Sequence, residues 1–171
     1  MDFKLTEDQK AFQKTAKDFA QSELPEAAQI CETEASPPTH ELIRKYGEMG
    51  FLGINVPEEY GGLGLGNIDA LIVLEEFAKI SSAIAFPVFE SCVGPVKAIE
   101  HFAEESLKKR VIPEVCSGEM IVAVAMSEPD AGSALTDLKT KGRVTNDKVI
   151  LNGLKRWCSG GGHADGYVVY C

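Results

Sequence analysis

Apolar residues recur at helical spacing through the first part of the chain. The first group of such positions comprises Phe12, Ala16, Phe19 and Ala20. Ahead of this group, Thr6 and Gln9 have the spacing of a capping box, in which each side chain accepts a hydrogen bond from the backbone N–H group of the other residue. The pattern therefore predicts a first helix that begins after Thr6. Pro25 should kink or end it, because proline lacks the N–H group that a helix interior needs.

Breaks and glycines divide the rest of this region into further helices. Ser36–Thr39 contains two prolines and separates the first helix from a short second one. The apolar positions of the second helix are Leu42, Ile43, Tyr46 and Met49. Gly50 then stands where a C-terminal glycine belongs. A glycine-rich loop is predicted over residues 56–66, and Asn67 is predicted to cap a third helix over residues 68–78. That helix is apolar nearly all round, which predicts burial on most of its sides.

Two more helices are predicted before the pattern changes. The first follows an interruption at Ser81–Ser82, and its apolar positions are Val93, Val96, Ile99 and Phe102. The second includes Glu104–Pro113, with acidic residues at its start and basic residues near its end, the order that the helix dipole favours. We expect the helical part to close at Ser117–Glu119.

From Met120 onward, apolar and β-branched runs bounded by turn residues predict strands. These runs cover residues 120–126, 140–145, 148–151, 154–158 and 166–171, and Asn146–Asp147 joins two of them as a hairpin. The predicted fold class is α+β, with an all-α helical domain over residues 1–119 followed by the opening strands of a β domain over residues 120–171. Because the last residue, Cys171, falls inside a strand-like run, we expect the chain to be part of a longer protein.

Composition and charge narrow the classes of function. The chain has 171 residues, of which 44% are hydrophobic and 25% charged, values typical of a globular fold. Its formal net charge of −9 argues against a nucleic-acid partner, because phosphates need a basic face. The longest apolar runs, Ala70–Leu74 and Met120–Met126, are far shorter than the ~20 residues of a membrane-spanning helix. Charges within residues 1–8 argue against a signal peptide, so we expect a cytoplasmic protein without a membrane span.

Cysteine and histidine usage indicates neither disulfides nor a metal site. The chain has five cysteines, an odd number, and no two of them form a C-x-x-C pair. Its three histidines lie far apart in sequence and form no local metal-binding motif. Free thiols suit a reducing compartment.

Two segments could carry chemistry. Ala125–Ala134 follows a predicted strand and contains two hydroxyls and several small residues, which suit the polar edge of a ring or a pyrophosphate; an ordinary turn at the end of a strand is the alternative. Gly153–Gly162 holds Trp157, the only tryptophan of the chain, beside three consecutive glycines. Its indole could stack on a flat ligand or lie in a core. A flavin needs a flat aromatic surface to stack on and directed hydrogen-bond donors for its polar edge, and the two segments together could provide both.

The same two segments resemble the signature motifs of the acyl-CoA dehydrogenase family. Ser127–Ala134 is similar to the family turn T-E-P-x-A-G-S-D, and Lys155–Gly161 is similar to the family strand K-x-W-I-T-N-G. Further segments that match in register are Leu5–Gln9, Gly50–Gly62 and Lys108–Pro113. The resemblance covers the whole chain, which makes it far more specific than either motif alone.

The resemblance implies a fold and a reaction. Family members have an N-terminal helical domain, a middle β-barrel-like domain and a C-terminal helical bundle, so this chain would supply the first domain and the opening strands of the second. The implied cofactor is FAD. The implied reaction is α,β-desaturation of an acyl-CoA thioester, in which a carboxylate takes the α-proton and flavin N5 takes the β-hydride. The implied partners are an acyl-CoA substrate, an electron-transfer flavoprotein or similar acceptor, and further copies of the protein in a homotetramer or dimer.

The resemblance also implies cofactor-binding residues, namely Val124, Met126, Ser127, Ser133, Trp157 and Ser159. The first three would lie along the flavin edge, with Ser127 bonding near N5 or O4. Ser133 would serve the pyrophosphate or the CoA moiety, so it is also the implied substrate-binding residue. Trp157 would cover the isoalloxazine ring, and Ser159 would bond near N5.

Departures from the family motifs keep other chemistries open. Ala134 stands in place of an acid, and Gly160 stands in place of an asparagine, which predicts a looser backbone over Gly160–Gly162. The alternatives are a family member with different flavin chemistry, such as a monooxygenase, a nitroalkane oxidase or a desulfinase, or an inactive fragment.

The resemblance places the catalytic base in the C-terminal helical domain, beyond these residues. No catalytic residue is therefore assigned within this chain, and the 171 residues alone are expected to be inactive. The resemblance also implies that Phe89–Gly94 lines the acyl pocket. Within that segment, Glu90 could equally be a solvated helix residue.

Overall fold

The computed structural model describes residues 4–171, and its helices precede its strands. The helices are α1 (Glu7–Glu34), α2 (His40–Glu48), α3 (Asn67–Ala78), α4 (Ser82–Cys92), α5 (Pro95–Phe102) and α6 (Glu105–Ser117). The strands are β1 (Val122–Ala125), β2 (Lys141–Val144), β3 (Val149–Asn152) and β4 (Gly166–Val169). The predicted α+β class, with a helical part followed by strands, is confirmed. Residues 1–3, on which part of the signal-peptide argument and the start of the predicted first domain fall, lie outside the described residues.

Helix α1 begins as predicted but is longer than predicted. Gln9 N–H donates to the Thr6 hydroxyl, and Thr6 N–H donates to the Gln9 side chain at 3.1 Å, which completes the capping box. Pro25 does not end the helix, because α1 continues to Glu34, and a kink at Pro25 stays a prediction. Leu24 and Cys31 are buried on either side of the exposed proline, so packing against the rest of the fold supports the helix through a residue that costs it a hydrogen bond.

The main core lies where α1, α2 and α3 meet, and aromatic rings fill it. Phe77 of α3 has no exposed surface, and its ring centroid lies 5.7 Å from that of Phe19, 5.0 Å from that of Tyr46 and 5.3 Å from that of Phe51. The Tyr46 hydroxyl donates to the Ile84 carbonyl at 3.2 Å, which satisfies its polar atom inside the core. This cluster holds α4 in place, and α4 forms one wall of the cavity described below.

Two predictions for α3 are wrong. Asn67 is the first helical residue and not the cap. The N-cap is Gly66, whose N–H group donates to Asp69 Oδ2 at 2.9 Å. The helix is also not buried on most sides, since Ile68 is 59% exposed and Leu71 is 56% exposed. Helices α1 and α4 are the main packing partners of α3.

The helical part continues through α4, α5 and α6. Val93 caps the C-terminus of α4 and does not start the next helix, which begins at Pro95. Helix α6 runs past Pro113 to Ser117 and ends at Gly118, with φ of 81°. A Cβ atom at Gly118 would lie 2.5 Å from the Ile43 carbonyl oxygen, so this close approach of α6 to α2 requires glycine.

One stretch among the described residues is long and apolar enough to cross a membrane by length and composition. It covers Ser82–Phe102 and has a mean hydropathy of 1.2, and half of the window tested is buried inside the fold. The break at Val93–Gly94 divides this stretch into α4 and α5. Core packing of these two helices therefore accounts for its apolar composition.

The β part consists of two pairs of strands. Strand β1 pairs in parallel with β4, in the register Val122↔Gly166 to Ala125↔Val169. The predicted hairpin is confirmed, because β2 and β3 pair antiparallel on either side of residues 145–148. The predicted strand over residues 154–158 is wrong. Trp157 has φ of 59°, a left-handed conformation that interrupts an extended ladder.

Candidate functional site

The site begins with a tight turn at the end of β1. The N–H group of Glu128 donates to the Ala131 carbonyl at 2.8 Å, and the N–H group of Ala131 donates back to the Glu128 carbonyl at 3.3 Å. Pro129 and Asp130 form the exposed tip between them. The two bonds give the segment a defined shape.

The buried carboxylate of Glu128 fixes this turn to the chain around it. The carboxylate accepts the backbone N–H of Lys139 at 2.6 Å, the backbone N–H of Thr140 at 2.9 Å and Lys155 Nζ at 2.9 Å. The Thr140 side chain and the Lys139 N–H group lower the pKa of Glu128 to about 2, with Lys155 adding to the effect. Glu128 is therefore ionised at neutral pH. Its role cannot be predicted from the sequence, because its partners lie up to 27 residues away along the chain.

Lys155 and Arg156 connect the tryptophan segment, Gly153–Gly162, to the same turn through hydrogen bonds. Lys155 Nζ donates to the Met126 carbonyl at 2.8 Å as well as to Glu128. Arg156 N–H donates to the Ser127 carbonyl at 3.0 Å. These contacts replace the strand that was predicted here. They place Trp157 directly after a residue bonded to the turn, so the structure brings the two segments singled out in the sequence together.

The indole of Trp157 offers one open face. Trp157 is 78% exposed, although a lone tryptophan is usually at least partly buried. The Arg156 guanidinium carbon lies 4.2 Å from its ring centroid and covers one face of the ring. The other face is available to a flat ligand.

The serine hydroxyls that the resemblance singles out are unbonded. Ser127 is half-buried, whereas Ser133 and Ser159 are exposed. None of the three hydroxyls makes a hydrogen bond within residues 4–171. Each can therefore bond to a ligand without losing an internal contact. The Ser127 carbonyl is hydrogen-bonded to the tryptophan segment, of which Ser159 is part. Ser133 lies further along the turn, where its carbonyl accepts the Leu135 N–H at 3.1 Å.

The other two implied residues lie on or just after β1. Val124 is half-buried and pairs with Val168 of β4, while Met126 is half-buried and follows the end of the strand. Their backbone therefore runs directly into the turn at Glu128. Their contacts with a flavin stay a prediction.

The glycine triplet after Ser159 is tightly packed at its first residue. A Cβ atom at Gly160 would lie 2.5 Å from the Ala123 Cβ and 3.0 Å from the Ala164 Cβ. The Gly160 carbonyl also accepts the Tyr167 hydroxyl at 3.0 Å. Close packing of Gly160 against β1 leaves space for glycine alone, and the looser backbone over Gly160–Gly162 stays a prediction.

A cavity of about 550 Å³ separates α4 from this glycine turn, a volume within the usual range for ligand sites. Its walls include Ala83, Phe86 and Glu90 of α4, together with Ser159, Gly160 and His163 of the turn. The cavity thus joins the segment implied to line the acyl pocket to the serine implied to bond near the flavin. No group of three or more metal-binding side chains occurs among the residues that the structure describes.

Glu90 is buried in the wall of this cavity, which contradicts its alternative interpretation as a solvated helix residue. Its side chain is 8% exposed, and burial raises its pKa to about 7. Burial also raises the pKa of the nearby Cys158 thiol, and the Glu90 charge adds to that shift. Sequence spacing could not reveal this burial, because α4 is apolar on nearly every side.

Comparison with known proteins indicates the acyl-CoA dehydrogenase family for both the helical part and the β part of the chain. The family model for the N-terminal domain of acyl-CoA dehydrogenases matches residues 6–119, and the model for the middle domain matches residues 123–171. The chain is 36% identical to the mitochondrial isovaleryl-CoA dehydrogenase of Bos taurus over 97% of its length. It is 38% identical to a 3-sulfinopropanoyl-CoA desulfinase of Cupriavidus necator over 94% of its length.

Solved structures match the fold closely. A glutaryl-CoA dehydrogenase in complex with glutaryl-CoA superposes with a TM-score of 0.92 at 34% identity, covering 99% of this chain and 43% of that one. A glutaryl-CoA dehydrogenase of Mycobacterium smegmatis in complex with FADH2 superposes with a TM-score of 0.90 at 25% identity, covering 96% of this chain and 42% of that one. The chain spans about two-fifths of the two curated relatives, at 39% and 40% of their lengths.

Proposed function

Because this chain belongs to the acyl-CoA dehydrogenase family, as its motifs predicted, we propose that it forms part of the flavin and acyl-CoA site of an FAD-dependent dehydrogenase. The proposed reaction is α,β-desaturation of an acyl-CoA thioester. The observation that carries the proposal is the hydrogen bond from Arg156 N–H to the Ser127 carbonyl, because it holds the open face of Trp157 beside the turn.

The residues present fit a flavin. The open indole face provides a flat wall, and the unbonded hydroxyls of Ser127 and Ser159 provide hydrogen bonds for a polar ring edge. When bound, FAD supplies the acceptor for the hydride that leaves the β-carbon. The role of the protein is to bind and orient the ring and to stabilise the negative charge that reaches it, an effect of preorganised donors.

Each implied residue has a proposed task. Val124 and Met126 support the ring edge through their backbone, and Ser127 bonds to that edge. Trp157 covers the ring, and Ser159 bonds on the cavity side. Loss of one such hydrogen bond should cost about 1–3 kcal/mol of binding free energy. The remaining implied residue, Ser133, binds the pyrophosphate or the CoA moiety.

The catalytic base is proposed to lie outside these residues. We assign no proton-abstracting group here, and the 171 residues alone are proposed to be inactive. An electron-transfer flavoprotein or similar acceptor, a homotetrameric or dimeric assembly and a cytoplasmic location complete the proposal for the whole protein.

One observation favours a second candidate. The desulfinase relative is as similar to this chain as the dehydrogenase relative is, at 38% against 36% identity. The second candidate therefore keeps FAD and an acyl-CoA thioester but changes the chemistry at the acyl group.

Anaerobic flavin reduction tests the proposal. Addition of acyl-CoA thioesters to the full-length protein loaded with FAD is expected to bleach the flavin absorbance near 450 nm, on the order of one equivalent per site. Thioester-dependent product formation without bleaching would favour the second candidate. If no thioester either bleaches the flavin or is converted, the proposed function is wrong.

A further inference from the structure

Glu90 is a buried carboxyl group that no described residue satisfies. Its Oε1 atom is inaccessible to solvent and has no hydrogen-bond partner within the described part of the chain. The side chain as a whole is 8% exposed, and it lies on the face of α4 that lines the cavity, together with Ala83 and Phe86. The two apolar neighbours make this face a site for an apolar chain, and Glu90 is the polar exception.

Glu90 makes none of the contacts by which a buried polar residue usually stabilises a fold. It caps no helix and forms no ion pair within residues 4–171. The adjacent Ser91 hydroxyl donates to the Val88 carbonyl at 3.0 Å and accepts the Gly53 N–H at 3.3 Å, so Ser91 already serves the fold on this helix. Burial of a carboxyl group without a partner costs free energy, so an apolar side chain here would stabilise the fold better. A function in ligand binding accounts for the carboxyl group.

The other ionisable groups near the cavity form no hydrogen bond or ion pair with Glu90 among the described residues. His40 and His163 also line the cavity, and neither forms an ion pair with Glu90. The Cys158 thiol is close enough for the Glu90 charge to raise its pKa, and it donates no hydrogen bond to the carboxyl. A ligand that enters the cavity would therefore meet Glu90 as its polar contact on α4.

We propose that Glu90 determines substrate specificity by selecting acyl groups that carry a hydroxyl group along the chain and by rejecting acyl groups that end in a carboxylate. The proposal rests on the proposed function. A hydroxyl can donate to Glu90 when the carboxyl is ionised and accept from it when it is protonated, so it provides the carboxyl group with a hydrogen-bond partner in either state. An unsubstituted chain leaves the Glu90 carboxyl group without a hydrogen-bond partner, and a carboxylate brings a second negative charge into a buried site.

The test compares sets of three acyl-CoA thioesters of equal length with the full-length FAD-loaded protein. Each set contains an unsubstituted acyl group, one hydroxylated beyond the β-carbon and one that ends in a carboxylate. The wild type is expected to prefer the hydroxylated thioester over the unsubstituted one by at least about tenfold in kcat/KM, with most of the difference in KM. Glu90→Met should remove or reverse that preference, whereas Glu90→Gln should keep it and accept the carboxylated thioester better.

Glu48→Met is the matched control, because Glu48 is exposed on α2, and it should keep the wild-type preferences. Dissociation constants of the same thioesters for the FAD-free protein, measured by calorimetry, give a second readout that needs no turnover and should show the same order. Equal preferences in the wild type and Glu90→Met would overturn the role of Glu90 while leaving the proposed function intact. If no thioester reduces the flavin, is converted or binds, the proposed function itself fails, and the role of Glu90 fails with it.

Discussion

Lys155 Nζ lies 2.9 Å from Glu128 Oε1, and the two side chains are only 12% and 4% exposed. The same ammonium donates to the Met126 carbonyl, so one buried cation joins the end of β1, the turn and the tryptophan segment. A buried ion pair adds little to the net free energy of unfolding, because desolvation offsets much of the Coulomb attraction. Its main effect here is to hold the three segments in fixed relative positions. The consequence is a defined separation between Ser127 and Trp157.

Removal of this cation should disrupt the site. Lys155→Met leaves the Glu128 carboxylate buried without its cation, so we expect a lower unfolding temperature and at least about tenfold weaker FAD binding. Lys139→Met is the control, because Lys139 pairs with Asp130 at 2.8 Å on the surface, where both side chains are more than two-thirds exposed. Differential scanning fluorimetry and FAD titration would measure both effects. Equal behaviour of the two variants would contradict the role of Lys155.

Glu128 should stabilise the fold in a pH-dependent manner. Its folded-state pKa of about 2 lies below the ordinary value of 4.5, so the folded state favours the ionised form. The resulting stability is fully present above pH 4.5 and is lost as the pH falls from 4.5 towards 2. Urea unfolding across this range should show the loss in the wild type and a smaller pH dependence in Glu128→Gln. An identical profile in the two proteins would show that Glu128 is not ionised in the fold.

Glu90 should have the opposite effect, because its folded-state pKa of about 7 lies above the ordinary 4.5. Between these two values the folded state holds a proton that the unfolded state has released, so the free energy of unfolding falls as the pH rises. The full loss above pH 7 amounts to about 3 kcal/mol. In Glu90→Gln this decline should be absent, and the variant should be more stable than the wild type at pH 8 without ligand. A decline of the same size in Glu90→Gln would place its origin elsewhere.

Gly160 should not tolerate a side chain. In Gly160→Ala the added methyl group would meet the Ala123 Cβ at 2.5 Å, so we expect a loss of about 1–3 kcal/mol in the free energy of unfolding. Gly132→Ala is the matched control, because a Cβ atom there would meet nothing within 4 Å. Chemical unfolding of both variants would measure the difference. Equal stability would show that the turn shifts without cost.

The sequence predicted the elements whose signals are local. The capping box of Thr6, the break at Ser36–Thr39 and the hairpin at β2–β3 were predicted because short-range chemistry determines them. The 154–158 segment was predicted wrongly as a strand, and α1 does not end at Pro25, because long-range packing and hydrogen bonding overrode the local pattern. Such contacts are invisible to periodicity.

The candidate site was predictable only in part. Resemblance to the family motifs placed Ser127 and Trp157 in one site, and the structure brings their segments together. No role was predicted for Glu128, and the sequence left Glu90 either in the wall of the acyl pocket or in solvent, since the state of each carboxylate depends on burial and on residues distant in sequence. Nothing in the pattern of charges distinguishes either from a solvated glutamate.

Binding of FAD to variants of the tryptophan segment tests the central claim most directly. Trp157→Ala removes the proposed wall of the flavin site, and Leu154→Ala removes a similarly exposed apolar side chain from the same segment, at 78% and 68% exposure respectively. Equilibrium titration of the FAD-free full-length protein should show at least about tenfold weaker FAD binding for Trp157→Ala and an unchanged dissociation constant for Leu154→Ala. Equal dissociation constants for the wild type and Trp157→Ala would contradict the assignment of the turn and the tryptophan segment as a flavin site.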